Sequence, residues 1–212
     1  MDLPLRHLAY RTISLILPFG MFVHPGSVQA QWTVADSSGS DILNGVASYM
    51  PGGYVAIAND LYISEDLGAT WETRTPMYLG QPILGVWTDA YFISPSEGYM
   101  VGGIDLNNQY GILHTIDGGT NWTPVFNTAN GPIPRRFNAL QFPVPSIGYA
   151  VGTNGRVSRT FNGGQTWADI FSSVGMEITS LHFFSGNTGL IAGENILMRT
   201  TNSGVTWTET LN

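Results

Sequence analysis

Thr115-Ile116-Asp117-Gly118-Gly119-Thr120-Asn121-Trp122 has three counterparts in this 212-residue chain, at Ser64–Trp71, Thr160–Trp167 and Thr200–Trp207. They read Ser64-Glu65-Asp66-Leu67-Gly68-Ala69-Thr70-Trp71, Thr160-Phe161-Asn162-Gly163-Gly164-Gln165-Thr166-Trp167 and Thr200-Thr201-Asn202-Ser203-Gly204-Val205-Thr206-Trp207. The shared pattern is Ser/Thr-x-Asp/Asn-x-Gly-x-Thr/Asn-Trp, and its tryptophans lie 51, 45 and 40 residues apart. Self-similarity at such a period marks an array built from one supersecondary unit. Each constrained position has a mechanical reason. Asp or Asn closes a tight turn on its own backbone, and Gly two residues later accepts positive φ. Ser or Thr at the front can bond other backbone groups of the turn. The final Thr/Asn and Trp are neighbours in a strand, so they face opposite ways and the indole can bury. An aromatic of this kind removes roughly 150–250 Å² from water. The box is expected to be a structural clasp, since it occurs four times where an active site would occur once.

The sequence before each box repeats as well. An apolar strand comes first, in Ile83–Ile93, Phe137–Phe142 and Ile178–Phe184. A strand between glycines follows, at Gly98–Gly102, Gly148–Gly152 and Gly189–Gly193, with Gly53–Ala58 as the counterpart in the first unit. A third strand runs into the box and a fourth carries the tryptophan. Four short strands in about 40–50 residues is the unit of a propeller blade. The expected fold is therefore all-β, a β-propeller of four-stranded antiparallel blades at about 41–75, 82–126, 136–171 and 177–212. Four blades are present. Gln31-Trp32-Thr33-Val34 resembles one more post-box strand with no blade to complete, so the ring is expected to be incomplete.

Composition fits this reading. Charged residues are only 11% of the chain, while there are 26 glycines, as suits short strands joined by tight turns. The net charge of −7 excludes bulk attraction to nucleic acid or anionic lipid. All eight basic residues are arginines, and there is no cysteine. Disulfides, thiol catalysis and thiolate metal sites are thereby excluded.

Residues 1–30 have the three parts of a secretory signal. Arg6 and Arg11 precede the apolar run Ile13–Val23, and Val28-Gln29-Ala30 offers a small-residue cleavage site. The apolar run is about half the roughly 20 residues that a membrane span needs. The mature domain, 31–212, is expected to be secreted or periplasmic, with no membrane span after cleavage. It retains fourteen acids and six arginines.

The boxes resemble the Asp-box, or bacterial neuraminidase repeat, of sialidases, sortilin-type receptors and some glycoside hydrolases. The whole unit, Gly-Tyr-x-Val-Gly followed by Thr-x-Asp-Gly-Gly-x-x-Trp, is similar to the photosystem II stability/assembly factor family of exported propellers. The resemblance runs over about residues 42–208. Boxes one and four depart from it, with Leu67 and Ser203 where Gly is usual. In that family an arginine patch on one face is implicated in partner binding. The matching residues here are Arg159 and Arg199, at equivalent points before boxes three and four, with Arg135, Arg136 and Arg156 nearby. His114 takes that point in the second unit.

No catalytic, cofactor-binding or metal-ligating constellation emerges. A sialidase needs three arginines gripping a carboxylate, and Arg74 is the lone arginine in the first half of 31–212. A glycoside hydrolase needs two facing carboxylates. Asp89, Glu97, Asp105, Asp169, Glu177 and Glu194 are available but fall in no motif. The histidines show no ligand spacing, and no cofactor is implied. Two readings remain. One is a non-catalytic, protein-binding module of assembly-factor type; the other is a carbohydrate-active enzyme or a piece of one. Carboxylates converging from two blades would favour the second, and an arginine or aromatic patch the first.

Overall fold

In the first strand of blades two and three the buried side chains alternate after one early break in register, so that Trp87, Ala90 and Phe92, or Phe137, Leu140 and Phe142, turn inward. The second strand is different. Gly98–Gly102 is buried at five successive positions, which a sheet allows only when both of its faces are covered. This contrast is what stacks the repeats as blades. The computed structural model describes residues 42–103, 111–126, 136–171 and 176–210, except the side chains of Tyr49 and Phe171. All of them lie in one compact unit, Ala35–Asn212.

Blade one consists of β1 (Gly45–Met50), β2 (Gly53–Ile57), β3 (Leu61–Ser64) and β4 (Glu72–Arg74). A two-stranded hairpin, β5 (Met77–Tyr78) and β6 (Gln81–Pro82), leads to the next blade. Blade two is β7 (Trp87–Phe92), β8 (Gly98–Gly102), β9 (Ile112–Thr115) and β10 (Thr123–Phe126). Blade three is β11 (Phe137–Val144), β12 (Ile147–Gly152), β13 (Val157–Thr160) and β14 (Ala168–Phe171). Blade four is β15 (Ile178–Phe183), β16 (Gly189–Gly193), β17 (Ile196–Thr200) and β18 (Thr208–Glu209). Each blade is an antiparallel meander with its strands in chain order. The fold is an all-β array of four propeller blades, and the ring is not closed. Residues 1–30, where a signal sequence is expected, Gln31–Val34 and the loop carrying Asp105 lie outside the described residues.

The core is three inter-blade layers. Val55, Ile57, Leu61 and Ile63 of blade one meet Trp87, Phe92, Met100 and Trp122 of blade two. Tyr99, Val101 and Ile112 of blade two meet Phe137, Leu140, Phe142 and Trp167 of blade three. Val151 and Val157 of blade three meet Ile178 and Ile191 of blade four.

Within blades two to four a phenylalanine lies flat on the glycine that opens the second strand. A Cβ on Gly98, Gly148 or Gly189 would come within 2.5–2.6 Å of the ring of Phe92, Phe142 or Phe183. Blade one inverts this arrangement. Its register pairs Ser48 with Tyr54 and Tyr54 with Ser64, where blade two pairs Phe92 with Gly98 and Gly98 with Thr115. Tyr54, not Gly53, therefore occupies the glycine place, and the large and small partners have changed strands.

Candidate functional site

In every box the front hydroxyl accepts a bond from the Gly amide four residues on. The distances from Ser64, Thr115, Thr160 and Thr200 are 2.8, 3.0, 2.9 and 2.9 Å. The same hydroxyls donate to Asp66, Asp117, Asn162 and Asn202. Those side chains in turn accept the amides of Thr70, Asn121, Thr166 and Thr206 at 2.8–2.9 Å. Trp71, Trp122 and Trp167 donate Nε1 to the carbonyls of Gly68, Gly119 and Gly164. In box four Trp207 Nε1 is buried without a partner. The bonds from Thr70, then those from Ser64 and Ala69, hold the Asp66 carboxyl down at about 2. Burial pushes Asp117 up, but the bonds from Asn121, Thr115 and Thr120 outweigh it and the net shift is downward. The box side chains are thus committed to their own turns.

The residue between Asp/Asn and Gly has positive φ in all four boxes: Leu67 (62°), Gly118 (71°), Gly163 (65°) and Ser203 (59°). Its carbonyl has a constant use. Arg74 Nη1 of blade one donates to Gly118 O at 2.8 Å, Tyr99 of blade two donates to Gly163 O, and Arg159 of blade three donates to Ser203 O. Three junctions thus use one acceptor position and three different donors. A second series runs along the first strands. Asn44 Nδ2 donates to Trp87 O (2.8 Å), Thr88 Oγ1 to Phe137 O (2.9 Å) and Asn138 Nδ2 to Ile178 O (2.8 Å). Sequence reading missed both series. Asn44, Thr88 and Asn138 share a place in the register but not a residue type, so no motif announces them.

The candidate arginines do not form one patch. Arg156 is 4% exposed, bonded through Nε and Nη2 to both oxygens of Asp169 at 2.8 and 2.9 Å. Its guanidinium lies over Phe126 and Phe137. It is a core ion pair closing blade three against blade two, and it offers no surface to a partner. Arg159 is half-buried, bonded to blade four and stacked 4.1 Å over the ring of Phe161. Arg136 is half-buried and pairs with Asn138 and Glu177. Arg199, the match to Arg159, is exposed. Arg135 lies outside the described residues. On the rim beside Arg159, Phe161 is 56% exposed, and Ile116 at the same box position of blade two is 74% exposed.

The carboxylates are also engaged. Asp89 accepts the amides of Ala90 and Leu140, both at 2.9 Å, across the junction of blades two and three. Burial pushes its carboxyl up to about 7, against the pull of those two amides. Asp169 holds Arg156 and Ser158, Glu97 faces His114 at 3.2 Å, and Glu177 faces Arg136 and Asn138. Glu194 is exposed. A cleft of about 580 Å³ on the rim between blades one and two is lined by Glu65, Arg74, Ser96 and Asp117, among others. Its Asp117 and Arg74 are those already bound into box and junction. Among the described residues no three His, Asp or Glu side chains are grouped to hold a metal, and no helix is long and apolar enough to cross a membrane.

Boxes, blades and junction bonds define an Asp-box β-propeller chain, similar to the photosystem II assembly-factor propellers. Residues 126–211, the end of blade two and blades three and four, match the family model described as photosynthesis system II assembly factor YCF48. YCF48 from Cyanidioschyzon merolae superposes with a TM-score of 0.54 at 17% identity, over 82% of this chain and 57% of that one. A GH74 enzyme from Niastella koreensis gives a TM-score of 0.56 at 14% identity, over 79% of this chain and 30% of that one. An ancestral GH74 enzyme gives 0.60 at 15% identity, over 78% and 23%. At these identities the likeness is one of fold. The chain spans less than two thirds of each of these proteins. No curated protein matches the sequence.

Proposed function

We propose that this chain is a non-catalytic protein-binding module of assembly-factor type, exported by its N-terminal thirty residues. The observation that carries this reading is the rim of blades two and three. Ile116 and Phe161 stand exposed at the same box position, and the Arg159 guanidinium lies on Phe161. An exposed aromatic beside a cation, on a rigid clasp, suits an apolar and acidic segment of a partner protein. The match of residues 126–211 to the assembly-factor family supports the same reading. The carboxylates a glycoside hydrolase would need are instead tied to turns and junctions, as Asp89, Asp117 and Asp169 illustrate.

The test is capture of proteins from an extract of the producing cells, with the wild-type chain and an Ile116→Ser/Phe161→Ser variant as baits. Both side chains are exposed and neither bonds across a junction itself, although Phe161 stacks on the junction donor Arg159, so the variant should remain folded with a melting temperature lowered by a few degrees at most. The expected outcome is one protein retained by the wild type and lost, by tenfold or more, from the variant. Equal retention would defeat the proposal, as would turnover of an oligosaccharide by the wild type.

A further inference from the structure

The row of box positions that carries Ile116 and Phe161 continues into blade one, where Glu65 holds the same place and is also exposed. Glu65 lines the cleft of about 580 Å³ at the rim of blades one and two, together with Met50, Arg74, Ser94, Ser96 and Asp117. That volume falls within the range of small-ligand clefts. The cleft thus opens beside the apolar rim, since Ile116 and Asp117 are consecutive in box two.

The charge of the cleft follows from where its arginine is engaged. Arg74 gives Nη1 to Gly118 O at 2.8 Å and Nη2 to Glu72 at 3.4 Å. Glu65 and Asp117 therefore bring two carboxylates to a guanidinium already paired with a third. Asp117 is ionised at neutral pH, because the bonds from Asn121, Thr115 and Thr120 outweigh its burial. The hydroxyls of Ser94 and Ser96, 3.3 Å apart, add two more oxygens. The other junctions lack this charge, since the residues matching Glu65 and Asp117 there are Ile116 with Asn162 and Phe161 with Asn202. A clasp that recurs in every blade does not account for a charge found at one junction.

From this we infer that the cleft takes a basic side chain, arginine or lysine, of the same partner segment whose apolar residues lie on Ile116 and Phe161. The inference rests on the protein-binding reading above and gives the segment an order. Its basic residue lies at blade one, its apolar residues over blades two and three, and its acidic one beside Arg159. A guanidinium or ammonium has donors only, which matches a lining rich in carboxylate and hydroxyl oxygens. Rim charges of this kind set orientation and encounter rate more than affinity. Glu65 accordingly fixes which way the segment lies, while Ile116 and Phe161 supply most of its hold.

The test titrates N-acetyl-arginine amide into the isotope-labelled chain, with N-acetyl-glutamate amide as the control, and follows the backbone amides by nuclear magnetic resonance. The arginine amide should shift Ser96 and Gly118 saturably, and the glutamate amide should not. Glu65→Gln, at an exposed side chain, should weaken the arginine amide about threefold to fivefold, and added salt should weaken it as well. The Ile116→Ser/Phe161→Ser variant should bind it as the wild type does. No saturable shift, equal binding of both amides, or undiminished binding by Glu65→Gln would overturn the inference. Protein capture through Ile116 and Phe161 without arginine binding sinks this inference alone. Arginine binding by a chain that captures no protein sinks the reading on which it rests.

Discussion

The two middle blades and the two outer ones carry the same box under different conditions. In blades two and three the turn is Gly-Gly and the tryptophan is buried, with its Nε1 bonded. In blades one and four the turn is Leu67-Gly68 or Ser203-Gly204, with a side chain held at positive φ, and Trp71 and Trp207 are half-buried. The clasp closes in all four, so it does not depend on burial of its tryptophan. What burial changes is how much the clasp contributes to the rest of the molecule.

The largest test of that difference is tryptophan removal. Trp167 lies edge-on to Phe142 and Tyr99 in the layer between blades two and three. Trp167→Ala should cost about 3–5 kcal/mol, and Trp71→Ala about half as much because its ring is already partly in water. Denaturant melts of the two variants measure this. Equal losses would mean the outer blades are as tightly coupled as the middle ones.

A smaller effect separates the middle junction from the others by pH. The place held by Asp89 is Gly45, Ala139 and Ser180 in the other blades, so only the junction of blades two and three has an acid there. With a folded value of about 7 against 3.8 when exposed, the native state keeps a proton that the unfolded chain has lost between those pH values. Stability should therefore fall as pH rises, by about 2 kcal/mol from pH 5 to pH 7. At the acid end the sign reverses. Asp66, held at about 2, gives up its contribution as pH drops below 3.8 toward that value. Thermal melts across pH 3–8 should peak near pH 4–5, and Asp89→Asn should flatten the neutral side. An unchanged slope in that variant would assign the effect to another group.

Much of this was legible in the sequence, because the box is a local device. A hydroxyl, an Asx side chain and a glycine at fixed offsets satisfy one another within eight residues, and the strand count follows from their spacing. What was not legible depends on contacts between distant residues. Gly53 looked like the counterpart of Gly98, yet cross-strand pairing gives that place to Tyr54. Arg156 lay near the other arginines in sequence, but Asp169 and two phenylalanines draw it into the core. Asp89 and Asp169 read as spare carboxylates until the amide of Leu140 and the guanidinium of Arg156 were placed against them.

The smallest expected effect concerns the turn itself. A leucine in the left-handed region costs roughly 1–2 kcal/mol, part of which glycine returns as flexibility in the unfolded chain. Leu67→Gly should raise stability by about 0.5–1 kcal/mol, read from the denaturant midpoint. No gain, or a loss, would mean that the exposed Leu67 side chain contributes contacts that offset its strain.

The outer junction bond has a consequence for how such arrays grow. Its acceptor is main chain, so a newly duplicated unit arrives with that half of the contact already present, whatever its side chains. Only one donor has to arise on the neighbouring unit, and it can come from any strand within reach: Arg74 from β4, Tyr99 from β8 and Arg159 from β13 are three solutions. Units can accordingly be copied, shuffled or transplanted between arrays without a matched pair of residues having to change together.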